Sequence, residues 1–278
     1  MTPDPAAVPR LAGGPGEVLP APEQPRRAWV EQVMGMPVSV HVRGPLARDG
    51  DTGAAGAVDL LYAELRRVDA IFSTYRADSE ICRLRRGELS EADADPWVRE
   101  VLALCAEAHE RTGGWFDAHL PGPDGVRRLD PTGLVKGWAI ERVTRALTAR
   151  LPDHDVLVNA GGDLAVRCRR TDTPDWRVGI EDPADRTRLL ATVPMRTGGS
   201  ATSGTAARGT HILDPRSGRP VERGGSVTVV GPDLMWADVH ATAAFASGAG
   251  AEEYLAHVAG HLGFVVRPDG STATVTGG

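Results

Sequence analysis

Lysine is nearly absent from this chain of 278 residues, because Lys136 is the only lysine among its 31 lysine and arginine residues. Arginine stands almost everywhere that either cation would serve, so a retained lysine favours a need for a compact ammonium on a flexible stem. The alternative interpretation is a solvated surface lysine. Acidic residues outnumber basic ones and give a net charge of −6, which provides no reason to expect nucleic acid as a partner.

Cysteine is also scarce. The three cysteines, Cys82, Cys105 and Cys168, show no CxxC spacing, which argues against a zinc ribbon or a disulfide framework and favours a reducing compartment. Residues 1–28 are rich in Pro, Gly and Ala and contain no apolar run long enough for a signal-peptide core or a membrane span. We therefore expect a disordered tail over 1–28, a single domain over 29–278, no membrane insertion and a cytoplasmic location.

Several common catalytic motifs are missing. No G-x-G-x-x-G follows a strand, no G-x-S-x-G occurs, and the residues around Lys136 do not have the spacing of a Walker loop. These absences argue against a Rossmann dehydrogenase, an α/β-hydrolase and a P-loop NTPase. His257 and His261 are four residues apart but lack the glutamate of a zinc metalloprotease, so we predict an outward-facing pair on a terminal helix.

Hydrophobic periodicity predicts a mixed α/β domain. Predicted strands cover 38–42, 156–158, 164–166, 176–180, 189–193, 227–230 and 264–266. Predicted helices cover about 60–70, 97–111, 132–147, 235–247 and 252–262. Residues 196–210 are almost all small or hydroxylic and lie between two strand patterns. This segment is predicted to be a loop, and its position favours a functional loop over a merely flexible one.

The predicted helix around Lys136 has the features of an anion site. A helix starting near Thr132, its predicted cap, places Lys136 in the first turn or just beyond. The amino end of a helix attracts anions, and Gly133 and Gly137 leave the backbone open. This pattern predicts half of a phosphate site.

A second chemical signal lies on the Ala-rich helix. Asp238 and Thr242 are four residues apart and share one helix face, where a carboxylate and a hydroxyl suit a hard cation such as magnesium. The alternative is that Asp238 caps the helix and Thr242 fills a small core gap. Farther upstream, Gly161 and Gly162 interrupt a strand pair and predict a turn or bulge where a ligand approaches the backbone.

The order of short motifs from Met34 nearly to the C-terminus resembles the ApbE family, the FAD:protein FMN transferases, in a short form. The motifs that carry the resemblance are, in chain order, Met34-Gly35, Ser73-Thr74-Tyr75 with Ser79-Glu80-Ile81, Phe116-Asp117, Asp130 to Gly137, Asn159 to Asp163, Thr202-Ser203-Gly204, His211 to Gly218, and Ala237 to Thr242.

The resemblance implies an α/β fold with a T-fold-like antiparallel sheet flanked by helices. It also implies a magnesium-dependent enzyme that transfers FMN from FAD to a Ser or Thr hydroxyl of a target protein and releases AMP. The implied FAD-binding residues are Met34, Tyr75, Phe116, Asp117, Ala118, Asp130, Lys136 and Ile212. The implied metal ligands are Gly133 and Ala241 through their carbonyls, Asp238 and Thr242.

Three catalytic groups are expected from this chemistry. Lys136 and the metal held by Asp238 neutralise charge on the phosphates. His211 follows the small-residue segment and is the expected base for the acceptor hydroxyl, with Asp163 or Asp238 as alternatives. Hydrolysis of FAD to FMN and AMP, and non-enzymatic flavin carriage, remain alternative functions.

One segment departs from the family pattern. Between Asp117 and Asp130 the family commonly has a longer insertion, whereas this chain has a short Gly/Pro linker. A more open FAD pocket is therefore expected.

Overall fold

The computed structural model describes residues 25–48, 52–121, 125–205 and 212–278. Its strands are β1 (Arg26–Val33), β2 (Met36–Arg43), β3 (His119–Pro121), β4 (Arg127–Leu129), β5 (Asp155–Ala160), β6 (Asp163–Arg167), β7 (Trp176–Glu181), β8 (Leu189–Met195), β9 (Thr197–Gly204), β10 (Ser226–Gly231), β11 (Leu262–Val266) and β12 (Thr272–Thr276). Its helices are α1 (Thr52–Phe72), α2 (Glu80–Arg85), α3 (Pro96–Arg111), α4 (Thr132–Arg150), α5 (Leu234–Ala246) and α6 (Ala251–Ala256).

Eight of the strands form one antiparallel sheet in the order β1-β2-β5-β6-β9-β10-β11-β12. Two separate ribbons, β3–β4 and β7–β8, complete the strand pairs. The β1–β2 and β5–β6 turns lie side by side, because the Gly161 N–H donates to the Pro37 carbonyl at 3.3 Å. The antiparallel sheet flanked by helices is as the resemblance implied.

Both faces of the central strands are covered. Helices α1, α4 and α5 bury one face in a core that includes Leu65, Ile140 and Phe245. A second core, which includes Trp176 and Phe264, lies under the β7–β8 ribbon, and alternate residues of β5 enter the two cores. Every residue of β10 is buried. Strand β10 is therefore covered on both faces, with the hydroxyl residues Ser226 and Thr228 buried together with its valines.

The loop predicted over 196–210 is wrong for most of its length, because residues Thr197–Gly204 form β9 in the middle of the sheet. Helix α5 lies directly on this strand, and a Cβ added at Gly199 would lie 2.3 Å from the Leu234 Cα. Close packing therefore requires small residues there, which removes the apolar pattern that identifies a strand. Residues 206–211 lie outside the described part of the chain.

The helix predicted over 252–262 is too long. Helix α6 ends at Ala256, Leu262 begins β11, and the unpredicted β12 follows. His257 is exposed at the end of α6, whereas His261 lies beyond the helix with its ring centroid 5.1 Å from that of His240. The two histidines therefore do not form an outward-facing pair on one helix.

At the N-terminal end, β1 begins at Arg26, three residues before the predicted domain boundary. It pairs with β2 through a two-residue turn in which Met34 and Gly35 have φ values of 55° and 72°. Positive φ at both central residues is the geometry that favours a tight hairpin. Residues 1–24 lie outside the described part of the chain. Among the helices described, none is both long enough and apolar enough to cross a bilayer.

Candidate functional site

A cavity of about 830 Å³ opens at the end of the sheet where the β1–β2 and β5–β6 turns meet. Its wall also includes the C-terminal end of α1, the first turns of α4, one face of α5, the second half of β9 and the tip of the β7–β8 ribbon. The volume lies within the range of small-molecule and cofactor sites. Its charged lining comprises Asp69, Asp117, Asp130, Lys136, Asp163, Glu181, Asp182, Arg186 and Asp238.

Lys136 lies inside this cavity and not on an open surface. Its Nζ forms ion pairs with Asp163 and, at 3.5 Å, with Asp238, and only 18% of its side chain is exposed. The surface-lysine interpretation is therefore wrong. Thr132 begins α4 and is not its cap; instead the Asp130 carboxylate accepts from the Thr132 N–H at 3.1 Å. Lys136 consequently lies just beyond the first helical turn.

Asp163 follows the glycine turn that the sequence predicted. Gly161 and Gly162 have φ values of 62° and 105° and line the cavity between β5 and β6. Asp163 is 3% exposed, and its Oδ1 accepts from the Thr202 N–H of β9 at 3.0 Å. Its other oxygen faces Lys136. Asp163, which the sequence analysis considered only as an alternative base, therefore belongs to the charged centre of the cavity.

Asp238 and Thr242 share the face of α5 that lines the cavity. The helix is capped by Asp233, whose Oδ1 accepts from the Trp236 N–H at 3.2 Å, so the capping interpretation of Asp238 is wrong. Asp238 is 3% exposed and faces Lys136. The Thr242 hydroxyl lies 3.2 Å from that of Ser203 on β9.

Gly137 explains how α4 and α5 come so close. A Cβ at this position would lie 2.9 Å from the Met235 Cα and 3.1 Å from the Asp238 Cβ. Any side chain would separate the two helices, because a backbone atom cannot move away as a flexible side chain can. The glycine next to Lys136 therefore permits the ammonium of one helix to reach the carboxylate of the other.

The donor atoms in this part of the cavity suit a hard cation. Two buried carboxylates, Asp163 and Asp238, face one ammonium, Lys136, which leaves a net negative charge. The Thr242 hydroxyl adds a neutral oxygen. Within the described residues no group of three His, Cys, Asp or Glu could hold a metal by itself. A metal here would need hydroxyl, carbonyl, water or phosphate oxygens, which is the ligand chemistry of Mg²⁺.

Most of the residues predicted for FAD and the metal line the same cavity. These are Met34, Tyr75, Phe116, Asp117, Asp130, Gly133, Lys136, Ile212, Asp238 and Thr242. Ala118 and Ala241 are buried and do not line it. The Phe116 ring packs against Gly133, where a Cβ would lie 3.3 Å from Cε2. Tyr75, in contrast, is 98% exposed on the rim.

The short linker after Asp117 forms a small ribbon. Strands β3 and β4 pair over residues 119–121 and 127–129, while residues 122–124 lie outside the described part of the chain. Asp117 forms an ion pair with Arg127 and accepts from the His119 N–H at 2.7 Å. Asp130 pairs with Arg85 at 3.3 Å. Both predicted FAD-contacting carboxylates are thus held by neighbouring residues.

His211 lies outside the described residues, so its predicted role as base stays a prediction. The residues that follow form a turn beside the cavity, and Leu213 and Pro215 of this turn line the cavity. In this turn Asp214 accepts from the Ser217 hydroxyl at 2.7 Å, and this bond, the largest cause, lowers the pKa of the Asp214 carboxyl.

The tip of the β7–β8 ribbon was not predicted to reach the cavity. Glu181, Asp182 and Arg186 line it, and Arg186 pairs with Glu181 at 3.0 Å. A hydrogen bond from the Ala184 N–H is the largest cause that lowers the pKa of Asp182. The sequence predicts strands here, but the ribbon lies outside the main sheet, and periodicity carries no information about where its tip points.

Comparison with known proteins shows which protein family this chain matches. A model of the ApbE family matches residues 34–123 and 120–265. The FAD:protein FMN transferase of Salmonella typhimurium is 32% identical over 124 residues, which are 40% of this chain and 34% of the relative. The enzyme of the same name from Chlamydia pneumoniae is 27% identical over 185 residues, 56% of this chain and 57% of the relative. The chain thus spans about a third of the Salmonella relative and just over half of the Chlamydia one.

Solved structures share the fold over nearly the whole chain. The ApbE protein of Thermotoga maritima has a TM-score of 0.77 at 18% identity and covers 90% of this chain and 97% of its own. The flavin transferase ApbE of Vibrio cholerae has a TM-score of 0.73 at 19% identity and covers 92% of this chain and 98% of its own. At these identities the likeness concerns the fold.

Proposed function

The chain belongs to the ApbE family, and we propose that it transfers FMN from FAD to a Ser or Thr hydroxyl of a second protein, with release of AMP. The observation that carries this proposal is the charged centre of the cavity, in which Lys136 lies between Asp163 and Asp238. A single ammonium beside two buried carboxylates is suited to a site that holds both a cation and a phosphate.

Magnesium is part of the proposal. Asp238 and Thr242 would hold it, with the carbonyls of Gly133 and Ala241 as the further ligands that family resemblance implies. A bound Mg²⁺ supplies charge stabilisation to phosphate oxygens without any proton transfer. Asp163, buried and close to Lys136, would complete the negative charge around the cation.

The bond changes of the proposed reaction are few. The acceptor oxygen forms a bond to the phosphorus of the FMN half of FAD, and the bond from that phosphorus to the bridging oxygen breaks. AMP departs with the bridging oxygen. Lys136 would stabilise the negative charge that grows on the phosphate oxygens, an interaction worth most in a partly buried site. The hydroxyl proton passes to a base, for which His211 and Asp163 are the candidates.

The test uses purified protein, FAD, Mg²⁺ and a candidate flavin-domain acceptor. We expect a mass increase of one FMN on the acceptor, and none on an acceptor whose target Ser or Thr is replaced by Ala. AMP with free FMN and an unmodified acceptor would instead support FAD hydrolysis. Intact FAD recovered from a reaction with several acceptors would support flavin carriage alone. Asp238→Asn is the control for a reaction that depends on the cavity.

A further inference from the structure

A buried carboxylate, Glu141, lies on α4 outside the cavity lining. It is 4% exposed, and its Oε1 accepts from the Arg145 Nε at 2.6 Å and also pairs with Arg167. Its Oε2 accepts from the Leu234 N–H at 3.1 Å. One side chain therefore joins α4, β6 and the first residue of α5.

These three elements are the ones that carry the charged centre of the cavity. Glu141 shares α4 with Lys136. The strand β6, to which Arg167 belongs, begins at Asp163. Helix α5, whose first N–H donates to Glu141, carries Asp238 one turn farther along. The same carboxylate thus contacts each of the three elements that carry Lys136, Asp163 and Asp238.

The spacing of the contacts fixes the register of the two helices. Gly137 and Glu141 are one turn apart on α4, and Leu234 and Asp238 are one turn apart on α5. Gly137 packs against Asp238, and Glu141 bonds Leu234, so the helices run antiparallel at this contact. No side chain separates them at Gly137. The hydrogen bond from Leu234 therefore opposes sliding and rotation of α5 along α4.

The charges around Glu141 also support a fixed position of α5 on α4. Arg145, bonded to Glu141, also pairs at 2.6 Å with Asp233, the cap of α5. The two carboxylates of Glu141 and Asp233 and the two guanidinium groups of Arg145 and Arg167 thus form a cluster whose charges balance. The Arg167 side chain is only 14% exposed, so its charge needs the Glu141 partner.

We propose that Glu141 is a positioning residue, which holds Lys136, Asp163 and Asp238 in the arrangement that binds the metal without touching substrate. The inference rests on the proposed function, because it concerns the magnesium site of that reaction. Groups that hydrogen-bond a metal ligand directly typically change metal affinity by about 10- to 100-fold when they are replaced, and because Glu141 acts through the start of α5 and through Arg167, the lower end of that range is expected.

The variant Glu141→Gln keeps the size of the side chain but removes its charge, and its single oxygen can accept either from the two arginines or from the Leu234 N–H, not from both. Glu64→Gln is the matched control, because Glu64 of α1 bonds Arg142 of the same helix α4 at 2.7 Å and, among the described residues, forms no hydrogen bond or ion pair with α5 or β6. Mn²⁺ replaces Mg²⁺ as the reporter, and its binding in the presence of FAD is measured by electron paramagnetic resonance.

We expect Glu141→Gln to weaken Mn²⁺ binding by about tenfold or more, while FAD binding without metal stays close to that of the parent. The control should bind Mn²⁺ as the parent does. A variant that melts at a lower temperature but binds Mn²⁺ normally would have lost only structural support, and the inference would be overturned.

Two further outcomes keep the inference testable. If Glu141→Gln does not fold, Arg145→Met decides, because this side chain is 64% exposed and its loss is tolerable for the fold. A smaller but clear loss of Mn²⁺ affinity supports the inference, and unchanged affinity refutes it.

If the parent itself binds no Mn²⁺ with FAD, the proposed metal site is wrong and the inference about Glu141 is wrong with it. Normal Mn²⁺ binding by both the parent and the variants overturns only the inference about Glu141.

Discussion

Replacing Lys136 by methionine and, separately, by arginine distinguishes the charge of this side chain from its shape. Methionine removes the charge and leaves Asp163 and Asp238, each 3% exposed, without the ammonium beside them. At the 3.5 Å separation from Asp238, the gross attraction is about 5 kcal/mol with an effective dielectric constant of 20. Removal of one partner from a buried pair typically costs about 3–5 kcal/mol.

The lower end of that range applies, because 18% of the lysine side chain is exposed. A loss of about 3 kcal/mol corresponds to a fall of about 6–12 °C in Tm for a domain of this size. Differential scanning calorimetry in metal-free buffer measures it. Adding Asp163→Asn to Lys136→Met should recover much of the loss, since one of the unpaired charges is removed.

Lys136→Arg keeps the positive charge, so its Tm should remain close to that of the parent. A broad planar guanidinium cannot take the place of a compact ammonium beside a phosphate, and we expect the rate of FMN transfer to fall by about 100-fold or more. Unchanged turnover of FAD by Lys136→Arg, or an unchanged Tm for Lys136→Met, would refute the reasoning about this group.

Three other predictions concern the same architecture. Asp238→Asn and Thr242→Ala should each weaken Mg²⁺ binding in the presence of FAD by about tenfold or more, measured by calorimetry, and parental titration curves for both would contradict the metal assignment. Gly137→Ala should lower the free energy of unfolding by about 1–3 kcal/mol in urea titration despite its better helix propensity, because its Cβ meets the Met235 backbone at 2.9 Å; equal or greater stability would contradict the close contact. Burial, the largest cause, lowers the pKa of His240 from 6.5 to about 3, so the unfolded chain binds a proton that the folded chain does not. His240 alone should therefore lower the free energy of unfolding as the pH drops below about 6.5, by about 2 kcal/mol at pH 5, and His261, whose pKa burial also lowers, should add to the fall. His240→Gln should make this part of the curve less steep, and an unchanged slope would contradict the assignment.

The parts of the fold that sequence periodicity predicts are those whose burial is regular. Helix α3 has the predicted C-terminal end at Arg111 and begins at Pro96, one residue before the predicted start. Strand β10 likewise contains the predicted strand 227–230, whose valines and threonine favour an extended chain. In both cases the local sequence itself carries the signal.

Strand β9 could not be predicted in this way. Its residues are Gly, Ser, Ala and Thr because α5 packs directly on it, and Gly199 has room for no side chain beside Leu234. Composition alone therefore indicates a loop. Strand β12 was missed because it lies at the edge of the sheet and none of its residues is buried, so its only apolar residues are Ala273 and Val275.

The site was predictable where a residue is unusual for its surroundings. A single lysine among arginines identified Lys136, and spacing on one helix face identified Asp238 and Thr242. Glu141 had no such signal, and Asp163 had only the glycine turn before it, because a carboxylate acquires its role only when distant elements meet. Asp163 of β6 accepts from Thr202 of β9, and Glu141 of α4 pairs with Arg167 of β6. No local sequence pattern specifies such contacts between distant segments.

The most direct test of the central claim measures AMP and acceptor-bound FMN in one reaction. Purified protein, FAD, Mg²⁺ and a flavin-domain acceptor are incubated, AMP is quantified by chromatography and the acceptor by intact mass. Transfer predicts equal molar amounts of AMP and of FMN attached to the acceptor, with both lost in Asp238→Asn. AMP formed without modified acceptor, or modified acceptor formed equally well by Asp238→Asn, would contradict the account.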